Sequence, residues 1–365
     1  MIETTINGAN IYNSKTGQFE KKNLLLSEGN IQHIYTGSID TENRQAIDGS
    51  DTYITPGFID TCSQLGLKEK GISWQGSDDY EPHSKKGYEL LVSDGIYPFD
   101  EAFNDAVKSG VTTAHIVSSP ENVIGAQTAV IHTHGKTVDE MVIHEQFGYS
   151  FSMGDTPKNA YWTHQKAPLT RMGIAHKLKN ALSELNQVEA PMNKPIFIRA
   201  HRSDDIQTAQ RIVKDHDMEF ILVHATEYGM ALNPTLPQPD AIIGGPCFRA
   251  IDRYDIRNLH PSLYRTLADV PVPFTFATDH PTSSISHLAL EGSLALKEGV
   301  SEKTILNGLT KHAAELLHID HLTGSIQEGL QADLVMWNAH PLDLTAKPIR
   351  TWIKGTNVFE EAKIS

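Results

Sequence analysis

Residues 54–64 read Ile54-Thr-Pro-Gly-Phe-Ile-Asp-Thr-Cys-Ser-Gln64, and the organisation of the chain changes at this stretch. An apolar run that ends in small and polar residues is the pattern of a buried strand reaching a surface or a pocket. Residues i and i+2 of a strand project to the same face, so Cys62 and Gln64 point toward one spot at its end. Ahead of this stretch, short apolar runs at 6–12, 23–29 and 30–35 are punctuated by Gly8, Gly17, Gly29 and Gly37, which predicts a small antiparallel sheet. The runs at 333–337 and 349–355 repeat that style, so both chain ends read as β-rich.

From residue 54 onward, short apolar strands alternate with amphipathic helices, the pattern of repeated βα units. The spacing predicts strands at 112–117, 195–201, 220–224, 241–246 and 273–279, and helices at 98–109, 169–186, 206–215, 261–268 and 301–312. Residues 118–155 interrupt the rhythm with a β-rich insertion and a hairpin. The chemistry-bearing side chains fall where several strands end, which is where barrel enzymes place their sites. The expected division is a composite β domain from 1–53 plus 330–365 and a barrel from 54–329.

With 365 residues and 39% hydrophobic content the chain can bury a large core. Its two cysteines, Cys62 and Cys247, cannot build a disulfide framework and fit a reducing compartment. The start, Met1-Ile-Glu-Thr-Thr-Ile-Asn7, has no basic segment leading into an apolar run, so a cytoplasmic location without a membrane span is expected. A formal net charge of -14 argues against nucleic acid or an anionic membrane as the main partner and leaves small molecules. No dinucleotide fingerprint, phosphate loop, nucleophile elbow or Cys-x-x-Cys is present.

Six motifs in order carry a family resemblance: Pro56-Gly-Phe-Ile-Asp60, Gly110-Val-Thr-Thr113, Arg199-Ala-His-Arg-Ser-Asp-Asp205, His224-Ala-Thr-Glu227, Ala277-Thr-Asp-His-Pro281 and Gly324-Ser-Ile-Gln-Glu-Gly-Leu-Gln-Ala-Asp-Leu-Val335. The chain resembles the amidohydrolase superfamily, most closely the subgroup related to imidazolonepropionase, over nearly its whole length. The resemblance implies a distorted (β/α)8 TIM barrel with a small β-sandwich formed by both termini, and metal-dependent hydrolysis of a C–N bond. In that family a His-x-His on the first strand, one His each on the fifth and sixth, and an Asp on the eighth hold the metal. His201, His224 and Asp279 match the last three. Cys62 and Gln64 stand where the His pair belongs.

The resemblance therefore gives His201, His224, Asp279 and Cys62 as metal ligands, with one divalent ion, zinc before others, or none. Cys62 has two readings of equal weight: a thiolate ligand, or a small buried thiol filling the space of a lost histidine. Asp279 and His224 are the expected catalytic pair. Arg249, Arg202 and His280 are the expected substrate contacts, although pairing of Arg199 and Arg202 with Asp204 and Asp205 is the default for such neighbours. His132-Thr-His134 has ligand spacing but sits in the insertion, so its imidazoles are expected to face solvent. Two functions follow: hydrolysis of an amide or cyclic amide at an atypical metal site, or a silent relative that binds a small molecule or serves as a partner subunit. The fold also admits a homo-oligomer.

Overall fold

In the computed structural model the described residues are 3–37, 44–188 and 194–362. Parts of the expected domains at 1–2, 38–43, 189–193 and 363–365 lie outside them. The 54–64 stretch divides between two sheets. Tyr53–Pro56 pairs parallel with Thr4–Asn13 and antiparallel with Leu334–Trp337, whereas Phe58–Ser63 pairs parallel with Val111–Ile116. Gly57 makes the crossing. A β-carbon there would lie 1.9 Å from Thr112 Oγ1, and its N–H donates to Asp333 O at 2.8 Å, so only glycine lets the strand pass this closely.

Strands from both chain ends, eight in all, are hydrogen-bonded into one sheet, and the expected sandwich does not show as two separate sheets. Nor is it purely antiparallel, because Gln45–Asp48 and Tyr53–Pro56 both run parallel to Thr4–Asn13. Ile6, Leu24, Leu26, Ile54, Leu334 and Trp352 form its own apolar layer. Trp337 ties it to the central unit, packing on Phe58 at 5.2 Å and donating from its indole to Thr55 Oγ1 at 2.9 Å.

The parallel strands of the central unit are β1 (Phe58–Ser63), β2 (Val111–Ile116), β3 (Tyr149–Ser152), β4 (Ile196–Ala200), β5 (Phe220–His224), β6 (Ala241–Gly244) and β7 (Phe274–Phe276). β3 to β7 pair in chain order, each parallel to the next. At one seam Ser63 bridges His280, and Asp279 N donates to Cys62 O at 2.9 Å, which brings β1 beside the end of β7. Between β2 and β3 the antiparallel strands Ala129–His132 and Ile124–Gln127 intervene, so the expected continuous barrel is barrel-like but not closed. The cause is the insertion, whose only helix is the short Val138–Met141, leaving no helical crossover there.

The strands are buried on both faces, as parallel strands covered by helices must be. Ile196, Ile198 and Ala200 face one core, while Phe197 joins Ile59, Cys62, Ile221, Val223 and Ile243 in another. One expectation about the insertion is corrected here. His134 is exposed, but His132 is 1% exposed, with Nδ1 3.9 Å from Asp333 Oδ2, because Ala129–His132 pairs with β2 and turns that imidazole into the core. No helix among the described residues is long and apolar enough to cross a membrane.

Candidate functional site

Four strand ends converge on one buried cluster. Cys62 comes from β1, Arg199 from β4 with His201 just beyond it, His224 closes β5, and Asp279 follows β7. His224, Ala225 and Asp279 have φ of 72°, 53° and 50°. Such left-handed backbone is uncommon for residues other than glycine and gathers at functional sites. Asp60 holds two of these strands in register: its carboxylate accepts from Cys62 N at 3.3 Å, Thr278 N at 3.1 Å and Thr278 Oγ1 at 2.5 Å.

The two imidazoles stack at 4.6 Å with an interplanar angle of 7°. His224 donates from Nδ1 to Gly245 O at 2.8 Å, which leaves Nε2 as the acceptor. His201 donates from Nδ1 to Thr226 Oγ1 at 2.8 Å, and its Nε2 accepts from Arg253 Nη2 at 3.1 Å. Burial pushes His224 down to about 4 and His201 well below the ordinary histidine range, so both are neutral near pH 7.

Arg199 occupies the middle. Its Nη2 lies 3.5 Å from Cys62 Sγ and 3.7 Å from Asp279 Oδ1, and its Nη1 donates to Ser118 O at 2.6 Å. Cys62 in turn lies 3.8 Å from Asp279 Oδ1. Burial pushes the Cys62 thiol up to about 12 against the pull of Arg199, so the sulfur keeps its proton. Burial also works against an ionised Asp279, but His224, Arg199 and Arg249 outweigh it and hold the carboxyl below its usual value. The space under the guanidinium, lined by Thr61, Cys62, His115, Phe197 and Arg199 among others, has no room for a water molecule.

The remaining sequence candidates are dispersed. Arg249 places its guanidinium near the cluster, and its Nη2 pairs with Asp252 at 3.1 Å. Arg202 is taken by Asp204 at 2.9 and 3.0 Å, as its default reading had it. Arg199 does not follow that default, because it lies inside. His280 is buried and accepts from Ile285 N at 3.2 Å, and Gln64 is held through its backbone N–H to His280 O at 2.8 Å. Arg253 was not singled out from sequence. It sits in the irregular loop after β6, where no periodicity marks it. Arg199 did carry a signal, since a charge in a strand buried on both faces has only the interior to enter.

A cleft of about 650 Å³ opens beside Arg253, lined also by Glu121, Asp155, Thr156, Asn159, His164 and Asp252. Asp155 is tied to Arg171 at 2.7 Å, whereas half-buried Glu121 has no such partner among the described residues, and burial with nearby Asp79 raises its pKa. A larger cleft of about 850 Å³ between helices Arg171–Val188 and Ser203–Val213 includes none of the cluster residues.

Residues 251–358 match the model of the amidohydrolase family. That stretch, about a third of the chain, is similar to the amidohydrolase family. An amidohydrolase from Thermotoga maritima MSB8 superposes with a TM-score of 0.89 at 26% identity, covering 98% of this chain and 100% of that one. A β-aspartyl dipeptidase from Fervidobacterium islandicum AW-1, solved with a β-Asp-Leu dipeptide, has a TM-score of 0.61 at 13% identity, covering 99% and 97%, and so supports the fold alone. Among curated proteins, amidohydrolase tasK of Hapsidospora irregularis is 22% identical over 352 residues, covering 81% of this chain. The chain spans about a third of that relative, 35% of its length.

Amidohydrolases usually bind divalent metals, and the residues present here do not fit one. Zinc needs ligand atoms at about 2.0–2.3 Å with free lone pairs. The lone pair of His201 Nε2 is taken by Arg253, and the guanidinium of Arg199 sits against both Cys62 Sγ and Asp279 Oδ1, at 3.5 and 3.7 Å. Among the described residues no group of three or more His, Cys, Asp or Glu side chains converges to hold an ion.

The buried histidines have a consequence for acid stability. His115 donates from Nδ1 to Thr61 O at 2.8 Å, its Nε2 has no partner among the described residues, and burial pushes its pKa down to about 3. The unfolded chain takes up that proton near pH 6.5 and the folded chain does not, so stability is present above pH 6.5 and is lost as pH falls toward 3. The expected slope is about 1.4 kcal/mol per pH unit for each such group. Asp60, raised by burial to about 7, contributes in the opposite sense. Urea titrations of His115→Gln between pH 6.5 and 5 should show a pH dependence shallower than wild type by that one-proton slope. An unchanged slope would mean that His115 protonates in the folded chain.

Proposed function

We propose that this amidohydrolase-like chain binds a small zwitterionic molecule of the amino acid or dipeptide class at the strand ends, and does not hydrolyse it by a metal-dependent route. The observation that carries this reading is Arg253, which lines the cleft while donating to His201 and so joins the cleft to the buried cluster. Arg253 is held by Asp255 through Nε at 3.0 Å and offers a carboxylate the rest of its guanidinium, and Glu121 on the same cleft offers an ammonium group a carboxylate with no ion pair among the described residues. The structural neighbours agree in ligand class, since one is a Xaa-Pro dipeptidase with bound methionine in its active site and another a β-aspartyl dipeptidase with a dipeptide.

Hydrolysis of an amide-type bond is the second reading, and it rests on His224. That imidazole is fixed through Nδ1 and keeps Nε2 open as a proton acceptor, close enough to Asp279 to feel its charge. Such a pair can move a proton, but it supplies no activated water on its own.

Thermal shift and calorimetry with free amino acids, dipeptides, their N-acetyl forms and the corresponding amines separate the readings. The expected result is binding of the zwitterions, weakened about 10- to 100-fold by Arg253→Ala, with no product by mass spectrometry. Turnover of the dipeptides would establish the second reading, and binding untouched by Arg253→Ala would remove the cleft from the proposal.

A further inference from the structure

We infer that Arg199 is this chain's own replacement for the metal: a covalently tethered cation that fills the centre of the site and balances Asp279. The first support is placement. The guanidinium touches both the side chain at position 62 and the carboxylate at position 279, two positions at which a metal ligand is expected from the sequence. Charge is the second, because Arg199 places its guanidinium 3.7 Å from the carboxylate of buried Asp279. Arg199 is also anchored as a structural group would be, with Nη1 on Ser118 O and a dry space beneath.

The substitution at position 62 then acquires a reason. Cys62 Sγ already lies 3.5 Å from Nη2, so an imidazole in its place would have to enter the volume the guanidinium fills. The small side chain at 62 and the long cation at 199 are complementary in volume. Arg253 repeats the device on a third expected ligand, taking the acceptor nitrogen of His201. The result is a site whose positive charge is permanent and cannot be removed by a chelator.

The test is a zinc titration of four proteins by calorimetry, elemental analysis and melting temperature: wild type, Cys62→His/Gln64→His, Arg199→Ala, and the triple combination. Wild type and the double variant, both retaining Arg199, are expected to take up no zinc and to show no zinc-dependent shift. Removing Arg199 together with restoring both histidines should yield near-stoichiometric zinc and a melting temperature raised by several degrees on zinc addition. Stoichiometric zinc in wild type, or zinc binding by the double variant equal to that of the triple, would overturn the inference. If the variants fold too poorly to compare, the wild-type titration decides alone: uptake of zinc sinks the proposal and refusal sustains it. Failure of the zwitterion-binding proposal leaves this result untouched, since no ligand enters the measurement.

Discussion

Replacing Arg199 with methionine should lower the stability of the protein by about 3–5 kcal/mol, the usual result of removing one partner from a buried ion pair. Methionine keeps most of the volume, so the loss comes from electrostatics and hydrogen bonding. Asp279 would remain ionised and buried without its cation, and Ser118 O would lose its donor. Two controls identify the cause. Arg199→Lys should recover part of the loss because it restores the charge without the planar fork. Asp279→Asn in the methionine background should recover more, because it removes the stranded charge, giving a coupling energy well above 0.5 kcal/mol in a double-mutant cycle. Urea denaturation at pH 7 measures wild type, Arg199→Met, Arg199→Lys, Asp279→Asn and the Met/Asn double variant. A loss below about 1 kcal/mol for Arg199→Met would show that the pair is incidental.

Glu291→Ala should be nearly as costly, although Glu291 touches none of the cluster residues. Its carboxylate is buried and accepts from Cys247 N at 2.9 Å, Phe248 N at 2.9 Å and Tyr264 Oη at 2.5 Å. Alanine strands three donors, each worth about 1–3 kcal/mol when left buried without an acceptor, and entry of water limits the sum to about 3 kcal/mol or a little more. Glu291→Gln should cost less, since its one oxygen can still serve Cys247 and Tyr264 while its amide faces Phe248 N–H donor to donor. Glu291 is a positioning residue: the loop it holds supplies Gly245 O to His224 and leads directly to Arg249. The Ala variant should therefore show a shifted His224 imidazole resonance by NMR even where it remains folded. A lowered melting temperature with an unmoved His224 signal would confine Glu291 to stability.

How much of this could be read from the chain depends on the residue. The ends of β4 and β5 were legible because 195–201 and 220–224 are apolar runs stopped by histidine, and the two imidazoles at those ends stack. Gly57 was not recognised as a break, because a strand that changes sheets keeps its apolar pattern and only the neighbouring Thr112 reveals the tight passage. His132 was misplaced because hairpin spacing says nothing about which face of a strand a third sheet will cover. Arg199 was legible in principle and was missed, since nearby Asp204 and Asp205 offered a simpler partner. Arg253 could not have been found, because its role depends on how an irregular loop returns over β4.

The divided strand at Gly57 also bears on the order in which the molecule assembles. The segment that brings Cys62 into place pairs on its near side with Leu334–Trp337 and meets His280 at its far end, both more than two hundred residues later in the chain. Such contacts close large loops, so their entropic cost is met late and slows folding. As the chain emerges from the ribosome, β1 is made early and secured late, and a chain halted before residue 279 would lack the partner that closes its future site at this seam.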